Sequence, residues 1–171
     1  FGHGLLTEKI RNLIQKKSNY LALNCQTNSS NVGYNFISKY KFADHVTIDE
    51  PEARLSTQKR FAPISSVIKA LKKQIKFKTC SITRGENGSV VLEYKSKKYF
   101  NCPVLSEKVE DTLGAGDSYF ALSSLFANIK KNLELVGFIG NVSGALKISY
   151  LGHRKYIKKI NVLSFIKSLM A

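Results

Sequence analysis

The chain has 171 residues, 43% of them apolar, and a formal charge of +15. That length suits one globular core rather than two, no apolar run reaches a membrane span, and three widely spaced cysteines without a C-x-x-C pair argue against a disulfide framework or a zinc site. The 27 Lys and Arg residues are scattered, often as pairs such as Lys16-Lys17, Lys72-Lys73 and Lys158-Lys159, without aromatic interleaving, so they read as solvated surface and not as a nucleic-acid interface.

In chain order, Phe1-Gly2-His3-Gly4 is a glycine-rich turn before a helix predicted over 5–17, where Leu5, Leu6, Ile10, Leu13 and Ile14 recur at helical spacing. Residues 20–25 read as a short buried strand and 26–31 as a polar loop. A weak helix over 32–40 would place Tyr34 and Phe36 in the core, and a strand over 44–48 ends in Asp49-Glu50-Pro51-Glu52-Ala53-Arg54. An amphipathic helix over 61–77 turns Val67, Ile68, Leu71 and Ile75 inward. After it come a strand over 79–83, the turn Arg84-Gly85-Glu86-Asn87-Gly88 and a strand over 89–94, the last hairpin-like with 97–101. Two apolar helices over 119–129 and 133–151 come next, with Gly137, Gly140, Ser143, Gly144 and Ala145 permitting close approach in the second. Gly152-His153 stops that helix, and a final short one covers 162–169. This alternation predicts an α/β fold, a mostly parallel sheet with helices on both faces. Cys25 and Cys80 close apolar runs and read as buried, reduced thiols. With no signal peptide at its start the chain reads as soluble and cytoplasmic. It opens at Phe1, with Met170 its only methionine, and so reads as a processed protein or, in preference, a fragment.

The chemistry concentrates in Asp111-Thr112-Leu113-Gly114-Ala115-Gly116-Asp117, ahead of a helix expected to begin near Ser118. Two glycines around an alanine let the backbone turn sharply and expose successive N–H groups at the positive end of a helix dipole, which makes an anion cradle. Asp117 would face the anion, and a base beside a phosphate suggests phosphoryl transfer. The plain alternative is a strand-to-helix loop whose Asp caps the helix. The carboxylates Asp49 and Glu52 lie just past a strand end, a place where Mg²⁺ could be held through oxygen ligands and water, or where acids merely complement a helix dipole. His45 and His153 show no partner pattern for a metal.

The string D-T-L-G-A-G-D-S-Y-F resembles the C-terminal signature of the ribokinase-like (PfkB) carbohydrate kinases. The resemblance implies that Asp117 is the catalytic base and that Gly114, Ala115 and Gly116 form the anion hole. Thr83-Arg84-Gly85 with Gly88 is similar to the family's T-[KR]-G-x-x-G element beside the nucleotide, Thr112 joins these nucleotide contacts, and Asn141 stands where family members contact adenine. Asp49 and Glu52 resemble the N-x-x-E motif, with Asp in place of Asn, and imply Mg²⁺. The opening Gly2-His3-Gly4 is similar to a D-[FY]-G-x-G stretch without its Asp, so His3 either lines a cleft or is solvated. Gln26-Thr27-Asn28 departs from the usual D-P-K, leaving Asn24, Gln26 and Asn28 as candidates only. The resemblance as a whole implies an ATP-dependent kinase acting on a sugar or sugar phosphate, with heptose 7-phosphate enzymes of surface-glycan synthesis the nearest in look. Residues 1–171 would then be the C-terminal, ATP-side portion of a ribokinase-like domain, incomplete at its N-terminus and inactive in isolation. A monovalent cation and a homodimer are compatible with it, and a nucleotide-binding module without turnover stays open beside it.

Overall fold

The computed structural model describes residues 6–25, 32–96, 99–106, 109–129, 132–150 and 156–171. They form two compact units, residues 1–82 with 92–98 and residues 83–91 with 99–171.

In the first unit, α1 (Glu8–Lys17) starts later than its apolar pattern because Thr7 caps it, its hydroxyl accepting from Ile10 N at 3.4 Å. Glu8 in the first turn and Lys16 and Lys17 in the last complement the dipole. The strand β1 (Ala22–Asn24) pairs in parallel with β2 (Phe42–Asp49), in the register Ala22↔His45, Leu23↔Val46 and Asn24↔Thr47. Residues 43–48 of β2 are all buried, so both faces of the strand are covered, as in parallel α/β sheets. Over 32–40 the structure corrects the sequence reading. Only Ile37–Lys39 form a short 3₁₀ turn, Gly33 takes φ +82°, and Tyr34 is 77% exposed while Ile37 is the buried residue. Tyr34 and Ile37 are three apart, as in a helix, but the left-handed Gly33 breaks the segment before the pattern can be used.

The helix α2 (Glu50–Thr57) continues directly from β2, with Asp49 as its cap and Pro51 in its first turn. The helix α3 (Ile64–Gln74) buries Val67, Ile68 and Leu71; it is shorter than 61–77 because Pro63 stands at its cap and Ile75 is already extended, leading into β3 (Lys76–Thr83). A tight turn over 84–88 joins β3 to β4 (Ser89–Glu93), and β5 (Tyr99–Cys102) comes after it. Connections this short permit only antiparallel neighbours, whereas the two-helix crossover before β3 suits a parallel one. The strands hydrogen-bond in the order β1-β2-β3-β4-β5, giving a mixed sheet in the α/β fold that the alternation implied.

In the second unit, α4 (Ala115–Ile129) packs along α5 (Leu133–Ile148), and α5 also packs on β5 and on α6 (Lys159–Met170). The central α5 buries Val136, Ile139, Val142, Ala145 and Leu146, and Asn132 caps its start by accepting from Leu135 N at 3.0 Å. Among the described residues no helix is long and apolar enough to cross a membrane.

Candidate functional site

The turn before α4 is held at both ends. Ile148 O accepts from Glu110 N and Asp111 N at 2.8 and 3.2 Å, which ties the approach to the end of α5. Asp111 Oδ1 then accepts from Leu113 N at 2.9 Å, Thr112 O accepts from Ala115 N at 3.2 Å, and Gly114 takes φ +78°, a left-handed conformation natural to glycine. The helix begins at Ala115 instead of near Ser118, and its first bond runs from Ser118 N to Gly114 O at 3.0 Å. The amides of Gly114, Gly116 and Asp117 therefore find no acceptor among the described residues, at the end of a helix dipole that favours anions. Asp117 is exposed in this first turn, not folded into the interior, and has no partner among those residues.

Gly116 is the odd residue of the turn. It does not have a positive φ, and an added Cβ would meet nothing within 4 Å. Glycine in a helix is about 1 kcal/mol less favourable than alanine, so neither backbone strain nor packing accounts for it here. Open space above a glycine's backbone is what a ligand's close approach needs.

The 84–88 turn is built in the opposite manner. Arg84 N donates to Gly88 O at 2.8 Å, Asn87 N to Arg84 O at 3.0 Å and Gly88 N to Gly85 O at 3.0 Å, with Gly85 at φ +56° and Gly88 at φ +72°. A Cβ on Gly88 would run into Cys102 O and would lie 2.8 and 2.9 Å from Pro103 C and Val104 N. Asn141, on α5, grips the same segment, donating from Nδ2 to Cys102 O at 3.2 Å and to Pro103 O at 2.6 Å. Thr83 and Arg84 are half-buried at the head of this turn.

In the first unit Asp49 Oδ1 accepts from Glu52 N at 2.6 Å, so the capping expected of Asp49 is present. Its side chain reaches solvent, yet crowding around the carboxyl raises its pKa, with the bond from Glu52 N pulling the other way. Glu50 is committed to Arg54, whose guanidinium also donates to the carbonyls of Lys59, Arg60 and Ala62. Half-buried Glu52 adds to the burial that pushes the Cys25 thiol up to about 12. Among the described residues no group of three metal-ligating side chains occurs. Two carboxylates still fit a hydrated Mg²⁺, which keeps several of its waters. His45 is fully buried between Thr79 Oγ1 (2.8 Å from Nδ1) and Thr47 Oγ1 (3.2 Å from Nε2), and burial lowers its pKa to about 4. Cys25, Cys80 and Cys102 are free thiols; Cys80 and Cys102 are buried and Cys25 is half-buried. Gly2, His3, Gly4, Gln26, Thr27, Asn28, Gly152 and His153 lie outside the described residues.

A family model described as pfkB family carbohydrate kinase matches residues 9–159. The chain belongs to the pfkB carbohydrate kinase family. Its fold is that of the family's solved structures. Ribokinase from Thermotoga maritima is 18% identical, with a TM-score of 0.70 over 93% of this chain and 53% of that one. Phosphofructokinase-2 from Escherichia coli is 16% identical, with a TM-score of 0.74 over 96% and 52%. Arabidopsis thaliana ribokinase is 18% identical, with a TM-score of 0.73 over 94% and 51%. The chain thus spans about half the length of the solved structures that it matches. No curated protein matches it.

Within this pfkB chain, the residues expected at 84–88, 112–117 and 141, with Thr83, belong to the second unit, while Asp49 and Glu52 belong to the first. Sequence reasoning passed over Tyr119 and Ser89, whose hydroxyls lie 3.1 Å apart in the interior. The available signal was a tyrosine inside the D-S-Y-F run with a glycine at 140, but one residue type at one position carries no distance information.

Proposed function

We propose that the chain carries the nucleotide-side machinery of a phosphotransferase that moves the γ-phosphate of ATP to a hydroxyl of a sugar or sugar phosphate. The observation that carries this reading is the set of three amides, Gly114, Gly116 and Asp117, that find no acceptor among the described residues, beside the exposed Asp117 carboxylate. Fixed N–H donors stabilise charge on a migrating phosphoryl group without reorganising, and a carboxylate within reach takes the acceptor's proton. The 83–88 turn, Arg84 included, and Thr112 would border the nucleotide. Asn141 has spent its Nδ2 on two carbonyls, so Oδ1 is what it can offer an adenine. The Arabidopsis ribokinase was solved with ribose and ATP, which supports this choice of substrates.

Asp49 and Glu52 would hold hydrated Mg²⁺, whose chemistry is charge neutralisation of phosphate groups. The Escherichia coli phosphofructokinase-2 was solved with potassium, which supports a monovalent cation. Free thiols support a cytoplasmic setting. The finer choice of heptose phosphate as acceptor rests on the look of the F-G-H-G, Gln26-Thr27-Asn28 and I-D-E-P-E-A-R stretches.

The test is MgATP-dependent phosphorylation of a panel of sugars and sugar phosphates by the natural protein that carries this sequence. Replacing Asp117→Asn should lower turnover by about two to four orders of magnitude and leave the unfolding temperature unchanged. Undiminished turnover in that variant would rule out Asp117 as the base.

A further inference from the structure

Both residues immediately after Asp117 are anchored beyond what a helix end requires. Ser143 Oγ lies 2.9 Å from Ser118 O and 2.8 Å from Gly140 O, tying the first turn of α4 to α5. Tyr119 is 3% exposed, and its ring fills a slot that exists only because residue 140 is glycine, since an added Cβ would sit 2.5 to 2.9 Å from three ring carbons. Its hydroxyl reaches Ser89 Oγ at 3.1 Å, and Ser89, 1% exposed, is the residue next to Gly88. A phenylalanine would fill the same slot without bringing a polar group inside, and a buried hydroxyl pair adds little net stability once desolvation is counted. Packing accounts for the ring but not for the hydroxyl.

We propose that Tyr119 is a positioning residue whose hydroxyl, set on Ser89, holds the helix end that carries Asp117 at a fixed spacing from the 83–88 turn. Resting on the phosphotransferase reading, this makes the two nucleotide-side turns a single rigid receptor for ATP. A ligand that touches both turns loses affinity when the strut is cut, because ordering them becomes part of the binding cost.

In the natural protein, Tyr119→Phe and Ser89→Ala should each lower kcat/KM for MgATP about fivefold, the size of one hydrogen bond, with the double variant no worse than either single one. KM for the acceptor should stay as it is. A lowered unfolding temperature with unchanged kcat/KM in both single variants, or effects that add in the double, would overturn the proposal. Calorimetric titration of the natural protein with MgATP reads the same strut without turnover, about fivefold weaker binding being the expected result. That arm separates the two ideas: if Asp117→Asn kept full turnover the base assignment would fall, while weakened binding in Tyr119→Phe would still support the strut.

Discussion

Gly88 and Gly116 both sit in glycine-rich turns of the second unit, and their surroundings are opposite. At Gly88 the backbone is left-handed and a side chain would overlap the Cys102 carbonyl, whereas at Gly116 neither condition holds and the space above the backbone is open. The protein's own interior explains the first glycine. It does not explain the second, which is less favourable in a helix than alanine and gains nothing internally. Residues of the first kind should show themselves in stability, and residues of the second kind in ligand binding.

The largest stability effect should come from Gly88→Ala. Left-handed strain and overlap with main-chain atoms together should destabilise the chain by about 3 kcal/mol or more, seen as a lowered urea midpoint. A variant as stable as its parent would break the comparison on its structural side.

His45 belongs with Gly88, since its two hydroxyl partners and its burial account for it inside the protein. Its pKa is lowered from 6.5 to about 4 in the folded chain, chiefly by burial. The unfolded chain therefore takes up this proton near its ordinary pKa while the folded chain resists until about pH 4, so stability is full above the ordinary value and falls as pH drops through that window. The loss should approach roughly 3 kcal/mol across it. Urea unfolding between pH 7 and 4 reads this directly, and His45→Gln should flatten the slope. An unchanged slope would place the acid sensitivity elsewhere.

Much of the fold was legible because periodicity reports which face of an element is buried. The α3 residues Val67, Ile68 and Leu71 and the small-residue face of α5 could be read from spacing alone. The boundaries that moved did so for local reasons: the Thr7 cap in α1, Pro63 ahead of α3, and a G-A-G stretch that reads as a breaker yet enters the first turn of α4. Tyr34 was misplaced because an aromatic in an irregular segment carries no periodic signal about burial. Of the candidate site, the Asp111–Asp117 run was legible as a motif. The commitment of Asn141 Nδ2 to two carbonyls and the Tyr119–Ser89 contact were not, because they join residues distant in sequence.

The smallest stability change is expected at Gly116. Alanine there should raise stability by about 0.5–1 kcal/mol, because it favours the helix and meets no neighbour. The same substitution tests the anion cradle most directly, by calorimetric titration of the Gly116→Ala chain with MgATP. Binding about tenfold weaker than the parent's, in a chain at least as stable, is the predicted result for a methyl group placed where a phosphate meets main-chain N–H donors. Equal affinity in the two chains would contradict it.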